Sequence, residues 1–397
     1  MNKIGILKNE ILGYEWGSYT YIPELLGENF PSRVPMAELW MGAHPKASSK
    51  VIYNNSLVPL IDIIQKDPQT ILGKEISKKF NNTLPYLFKI LAAEKPLSIQ
   101  AHPNKIQAKI GFERENKEGI GISAYNRSYK DDNHKPECIC ALTPFTALNG
   151  FRKIKEILFY IEKVSPLSLK NEIYELKSNP DKKGLQDFFA SLIKMDKERK
   201  KLVIKEAISR AKELNDPVFI WMIKLNQEYQ DDIGILSPIL LNLISLKPGE
   251  ALFLESGELH AYLQGAGIEL MANSDNVLRG GLTPKYIDLS ELINIVNFEE
   301  KELKILNPVP KDEQESYYKT NAEEFSLSVL SIRSKYLCDV NRSVEILICI
   351  EGSGIITNLA NNEQISVNKG TSFIIPSIVP QYEISGNAFL YKASVPF

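Results

Sequence analysis

Only four histidines occur in the sequence: His44, His102, His134 and His260. Imidazole is the commonest protein ligand for metal ions and titrates near neutral pH, so chemistry is sought first around these residues. In Leu97-Ser-Ile-Gln100-Ala-His102-Pro103, an extended backbone would put Ser98, Gln100 and His102 on one face. A glutamine and a histidine so spaced can reach one ion together, although an ordinary polar strand face reads the same in isolation. In Asn133-His134-Lys135-Pro136-Glu137-Cys-Ile-Cys-Ala-Leu, alternation turns the Glu137 carboxylate inward with Ile139. Such a charge is costly to bury unless it is paired or bound to a metal, and a place at the wet rim of the strand is the other option. In Gly257-Glu-Leu-His260, the histidine follows a glycine turn at a strand start. Taken together, Gln100, His102, Glu137 and His260 offer nitrogen and oxygen donors, one negative charge and no thiolate. This set suits one Zn2+ per chain in a catalytic role, with positions left for water or substrate. The net positive centre would polarise a carbonyl and stabilise an enediolate oxygen.

Further along, Arg279 precedes Gly280-Gly281, where backbone without Cβ atoms would allow close approach of a ligand. An arginine fork suits a phosphate or a developing oxyanion, and equally a solvated surface turn. Gly265-x-Gly267 is not part of a nucleotide-binding loop, because neither Gly-x-Gly-x-x-Gly nor a P-loop pattern occurs.

These segments need a scaffold. The 397 residues exceed what one core usually serves, so two or three domains are expected. Hydrophobic residues at 44% and a net charge of -2 describe an ordinary globular chain and argue against nucleic acid as a partner. No apolar run approaches the roughly 20 residues that span a bilayer. The charged first residues lack the apolar stretch of a signal peptide, so no membrane partner and a cytoplasmic location are expected. The four cysteines, Cys138, Cys140, Cys338 and Cys349, read as small buried residues and not as a disulfide framework.

Strand patterns fill the first part: Glu38-Leu-Trp-Met-Gly-Ala-His-Pro as strand then loop, Leu84–Leu91, Leu97–His102 and Pro136–Leu142, with a helix over Pro103–Lys117 begun by its proline. Helical periodicity takes over near 152, where Val203, Ala207, Ala211 and Leu214 recur among charged residues. Strands return from about 240, including His260–Leu263 and Gly267–Ala272, and continue to the end. Segregated helices and strands point to sandwiches or jelly rolls carrying an inserted helical domain. One rhythm occurs twice: Gly249, a strand, a turn and His260; then Gly370, a strand, a turn and Gln381. Only the first copy could hold a metal.

Both copies resemble the second cupin motif. More specifically, seven stretches resemble the type I phosphomannose isomerases. These are Tyr14-Glu-Trp16-Gly-Ser18, Glu38-Leu-Trp-Met-Gly-Ala-His44-Pro, the Leu97–Pro103 segment, Asp132-Asn-His-Lys-Pro-Glu137, Phe145-Thr-Ala-Leu-Asn-Gly-Phe-Arg152, His260 through Asp275, and Asn276-Val-Leu-Arg-Gly-Gly-Leu-Thr-Pro-Lys285. The resemblance implies a mainly β fold with α: two cupin-type jelly-roll barrels plus an inserted all-helical domain. Residues 1–150 and 236–300 would form the catalytic cupin, 151–235 the insertion, and 301–397 a second cupin-like domain without metal. It puts the zinc ligands on Gln100, His102, Glu137 and His260, and active-site roles on Arg279, Lys135, His134, Lys89 and Asp275. The family interconverts mannose 6-phosphate and fructose 6-phosphate, so the expected partner is a small phosphorylated sugar and the expected state a monomer.

Aldose–ketose isomerisation moves a proton between C1 and C2 through an enediol. Lys135 or His134 would carry it, since burial beside a cation pulls a lysine toward neutrality. Arg279 would stabilise the enediolate or grip the phosphate. Two rivals stand beside this reading: an iron-dependent cupin oxygenase, which would consume oxygen, and a non-enzymatic sugar-binding module, which would bind without turnover.

Overall fold

The computed structural model describes residues 1–338 and 341–396. Asp339, Val340 and Phe397, which belong to the last expected segment, lie outside it.

One strand organises the half that carries the expected ligands. His260–Ala272 runs thirteen residues without a break, where the sequence pattern suggests two strands. Gly265 explains the difference. Its φ of +122° bends the strand in a conformation open to glycine, and a Cβ there would lie 2.6 Å from the Pro144 carbonyl. Before the bend the strand pairs with Phe145–Phe151, matching His260 to Asn149. After it, the strand pairs with Tyr86–Ala93, matching Glu269 to Lys89, and with Glu137–Ala141, matching Met271 to Glu137. The resulting antiparallel sheet has ten strands, and Ile99–Ala101 and Leu278–Gly281 pair together along one margin. Strand Ile99–Ala101 ends just short of His102, and helix Lys105–Lys117 starts later than its proline suggests. Asn104 is its cap, forming a reciprocal box with Gln107.

The second sheet has eleven strands and crosses the expected domain boundary. Strand Gly5–Lys8, from the start of the chain, pairs with Ser372–Ile375 on one side and Lys50–Tyr53 on the other. The first sixty residues therefore serve both sheets. Neither sheet closes into a barrel.

Helices Ile154–Val164, Lys182–Lys194, Lys197–Ala211 and Pro217–Glu228 form the helical region. Asp181, Asp196 and Asp216 cap three of them by accepting backbone N–H bonds. Their apolar faces bury Ile161, Phe188, Val203 and Phe219 in one core with Ile99, Leu259, Leu278 and Leu282. Each such buried side chain contributes about 1.5–3 kcal/mol, so the helices brace the very strands that carry Gln100 and Arg279. All four cysteines are buried and unpaired. Among the described residues, no helix is long and apolar enough to cross a membrane.

Candidate active site

Three of the expected ligands converge. His102 follows its strand directly, and its Nδ1 lies 2.7 Å from the Asn276 carbonyl. His260 opens the long strand, with Nδ1 2.9 Å from the Glu258 carbonyl. A carbonyl only accepts, so both Nδ1 atoms carry the proton and each neutral ring presents a lone pair on Nε2. Both Nε2 atoms are buried and have no hydrogen-bond partner among the described residues. They face the Glu137 carboxylate, at 3.3 Å from Oε1 and 3.4 Å from Oε2. The donor atoms of the three residues lie within 4.8 Å of one another, a spacing that fits a single cation. Buried lone pairs aimed at a carboxylate leave an unmet demand for positive charge, which is what a divalent ion supplies. Burial and the adjacent Lys135 ammonium hold His102 down to about 4, so it is neutral and able to ligate near pH 7. Burial alone would raise the Glu137 carboxyl, but the adjacent Lys135 ammonium holds it well below the usual range. Gln100 lines the cavity onto which Glu137 opens and stands in register opposite both His260 and Arg279.

The cavity measures about 610 Å³. Lys135 reaches into it with Nζ 2.8 Å from Glu137 Oε1. Lys89 also lines it, 2.9 Å from Glu269 and 3.7 Å from Glu38. Burial opposes its charge, but these two carboxylates hold the Lys89 ammonium above its ordinary value. Asp275 pairs with Lys46 at 2.7 Å and stands 3.6 Å from His44 Nε2. Arg279, Lys130 and Lys285 also line the cavity, Lys130 within electrostatic reach of Lys46 and Asp275, and the three form no ion pair among the described residues. Burial lowers the affinity of all three for a proton, and Arg279 adds its repulsion to Lys130 and Lys285. An unpaired cationic wall of this kind is receptive to an anion.

Two expectations read differently in the structure. His134, like His102 and His260, is not among the cavity-lining residues, but its ring points away from Glu137's partners and meets Glu324 from a loop of the second sheet. Gly280 and Gly281 face protein in place of ligand. A Cβ on Gly280 would lie 3.0 Å from Leu259, and one on Gly281 3.2 Å from Gly234. The glycines thus let the Arg279 strand pack tightly, Gly280 against Leu259 and Ile99 and Gly281 against the turn at Gly234. Sequence reasoning also passed over Glu269, Glu38, Lys46, Lys130 and Lys285 as site residues. Glu269 carried a usable signal: a carboxylate inside the apolar run Gly-Ile-Glu-Leu-Met-Ala, the same argument that singled out Glu137.

Comparison with known proteins supplies the context. Family profiles match along the chain: "Phosphomannose isomerase type I, catalytic domain" over residues 5–154, the helical insertion domain of the same family over 161–241, and "Mannose-6-phosphate isomerase, cupin domain" over 314–394. The mannose-6-phosphate isomerase of Escherichia coli (strain K12) is 42% identical over 393 residues, covering 97% of this chain and 98% of that one. This chain belongs to the type I phosphomannose isomerase family. The human mannose-6-phosphate isomerase is 33% identical, covering 90% of this chain and 89% of its own. A crystal structure of a zinc-bound mannose 6-phosphate isomerase superposes with a TM-score of 0.93 at 38% identity, covering 99% of this chain and all (100%) of its own. The Salmonella typhimurium isomerase bound to fructose 6-phosphate and zinc gives 0.93 at 39% identity, with the same coverage. As a type I phosphomannose isomerase, the chain is mainly β with a cupin domain and a helical insertion.

Proposed function

We propose that this chain is a zinc-dependent isomerase that interconverts mannose 6-phosphate and fructose 6-phosphate. The observation that carries this reading is the pair of buried, unpartnered Nε2 atoms of His102 and His260 around Glu137. His102, Glu137, His260 and Gln100 are the residues that would hold the metal. When bound, zinc supplies a Lewis acid for the oxygens at C1 and C2 of the sugar.

The chain's own residues do the rest. Of the two expected proton carriers, Lys135 faces the cavity, so its amine is the one assigned to move the proton between C1 and C2. Arg279, with Lys130 and Lys285, takes the anionic groups of the substrate, phosphate and enediolate alike. Lys89, held by Glu269 and Glu38, donates hydrogen bonds to sugar oxygens. Asp275 orients the His44–Lys46 side of the opening. The helices behind the Gln100 and Arg279 strands keep these groups from drifting, since a small misplacement costs rate steeply.

The architecture behind this site is read as two cupin-type jelly rolls: residues 1–150 and 236–300 with the helical insertion 151–235, and residues 301–397 as a metal-free partner. Support comes from the bend of the long strand at Gly265 and from the profile boundaries. A phosphorylated sugar as substrate supports a cytoplasmic location. The cationic wall and the glutamine ligand favour isomerisation over the iron oxygenase and the non-enzymatic sugar module.

A coupled assay with mannose 6-phosphate tests the reading. Turnover is expected, with loss on chelation and recovery on adding Zn2+. Binding without turnover, or turnover indifferent to a chelator, would overturn it.

A further inference from the structure

His134 stands beside two residues of the proposed site, one position before Lys135 and three before Glu137, yet its side chain does not line the cavity. Its Nε2 lies 2.7 Å from Oε1 of Glu324. Glu324 lies in the connection between strands Glu315–Tyr318 and Ser326–Ile332 of the second sheet. It is 3% exposed, and its Oε2 has no hydrogen-bond partner among the described residues. A carboxylate is costly to place there unless a charge-assisted bond compensates, and the short contact to the imidazole is such a bond.

The segment it grips is anchored elsewhere as well. Asn276, fully buried, donates from Nδ2 to the carbonyls of Asp131 and Asn133, each at 2.8 Å. The same residue offers its carbonyl to His102 Nδ1. After Lys135, the Pro136 carbonyl accepts from Ala272 at 3.1 Å, where the chain enters the ten-stranded sheet. Between the Asn133 and Pro136 anchors lie His134 and Lys135, and the imidazole of His134 is the tether to the other sheet. A residue that holds a neighbour of a reacting group in one rotamer acts on rate through geometry, as the partners of metal-bound imidazoles do.

We infer that Glu324 is a positioning residue for isomerisation: from the second sheet it clamps His134, and so fixes where Lys135 presents its amine. The inference rests on the role assigned to Lys135 above. It also gives residues 301–397 a part in the chemistry without a metal of their own.

Glu324→Ala and Glu324→Gln are compared with wild type by kcat and KM for mannose 6-phosphate, zinc content and thermal midpoint. The alanine variant should lose roughly tenfold or more in kcat, with KM within about twofold and zinc unchanged, as expected for loss of an outer-shell partner. Glutamine keeps an acceptor oxygen for the imidazole and should recover kcat to within about threefold of wild type. A lowered midpoint with unchanged kcat in E324A, or E324Q no better than E324A, overturns the inference. If E324A does not fold, His134→Ala carries the test from the half-buried side of the pair. It must lower kcat similarly, and adding Glu324→Gln must cost nothing further; additive losses overturn the clamp. Wild type without turnover defeats the isomerase reading itself, whereas active wild type with an indifferent E324A defeats only the clamp.

Discussion

Each of the two sheets buries carboxylates, and the Glu315–Glu345 pair and Glu137 are satisfied in opposite ways. In the C-terminal region, Lys392 lies 2.7 Å from Glu315 and 3.5 Å from Glu345. Tyr336 donates to the other Glu315 oxygen at 2.7 Å, and Arg342 stands 3.4 Å from Glu345. Burial alone would raise Glu315, yet Lys392 and Tyr336 hold it below its ordinary value. That interior brings its own cation and is closed to others. In the catalytic region, Glu137 has Lys135 on one side, but His102 and His260 add lone pairs and no charge. That interior is complete only with an ion from outside. The repeated glycine–strand–turn rhythm ends in His260 in one region and Gln381 in the other, and the difference in ligand capacity follows.

The contrast breaks most severely at Glu137. Glu137→Ala should reduce bound zinc from about one per chain to near none, and activity on the order of a thousandfold, because the ion's several kcal/mol of transition-state stabilisation go with it. Elemental analysis and kcat measure this, and a fully zinc-loaded E137A would erase the distinction. Next in size, Lys392→Met should leave zinc content untouched but cost about 3–5 kcal/mol in urea unfolding, since Glu315 and Glu345 stay buried without their cation. Replacing all three by apolar residues of similar volume should restore much of that loss, and a mild effect from K392M alone would show that the cluster is not held by charge.

The smallest effect concerns acid. All four histidines precede residue 301, so imidazole titration distinguishes the catalytic side from the C-terminal one. Burial chiefly, against the attraction of Asp275, lowers His44 from 6.5 to about 4. A depressed folded value means that the unfolded chain takes up the proton first. The contribution is therefore fully present above pH 6.5 and is lost as pH falls toward 4, by about 3 kcal/mol at most. His44→Gln should flatten the stability–pH curve in that window. An unchanged slope would show that His44 does not stay neutral in the fold.

Much of the metal site was readable because its signals are local. Glu137 is a charge inside an apolar strand pattern, and Gln100 and His102 sit two apart beside a proline. What stayed hidden was long-range. Nothing near His134 says which way it points, since it lies in a loop with no alternation to orient it, and its partner is 190 positions away. Nor does the pattern of Gly5–Lys8 choose Ser372–Ile375 as its neighbour, because strand pairing is set by packing and register and not by the strand's own composition. The Gly280-Gly281 pair was seen but misread: sequence marks a close approach without saying to what.

The Gly5–Lys8 strand also dictates when the molecule can be finished. During synthesis it waits for Ser372–Ile375, so one of its ladders stays open until almost the whole polypeptide has been made. An open ladder recruits stray strands, and a contact spanning so much of the chain forms slowly. A polypeptide cut after residue 300 would keep the metal-binding side chains yet carry that raw edge permanently.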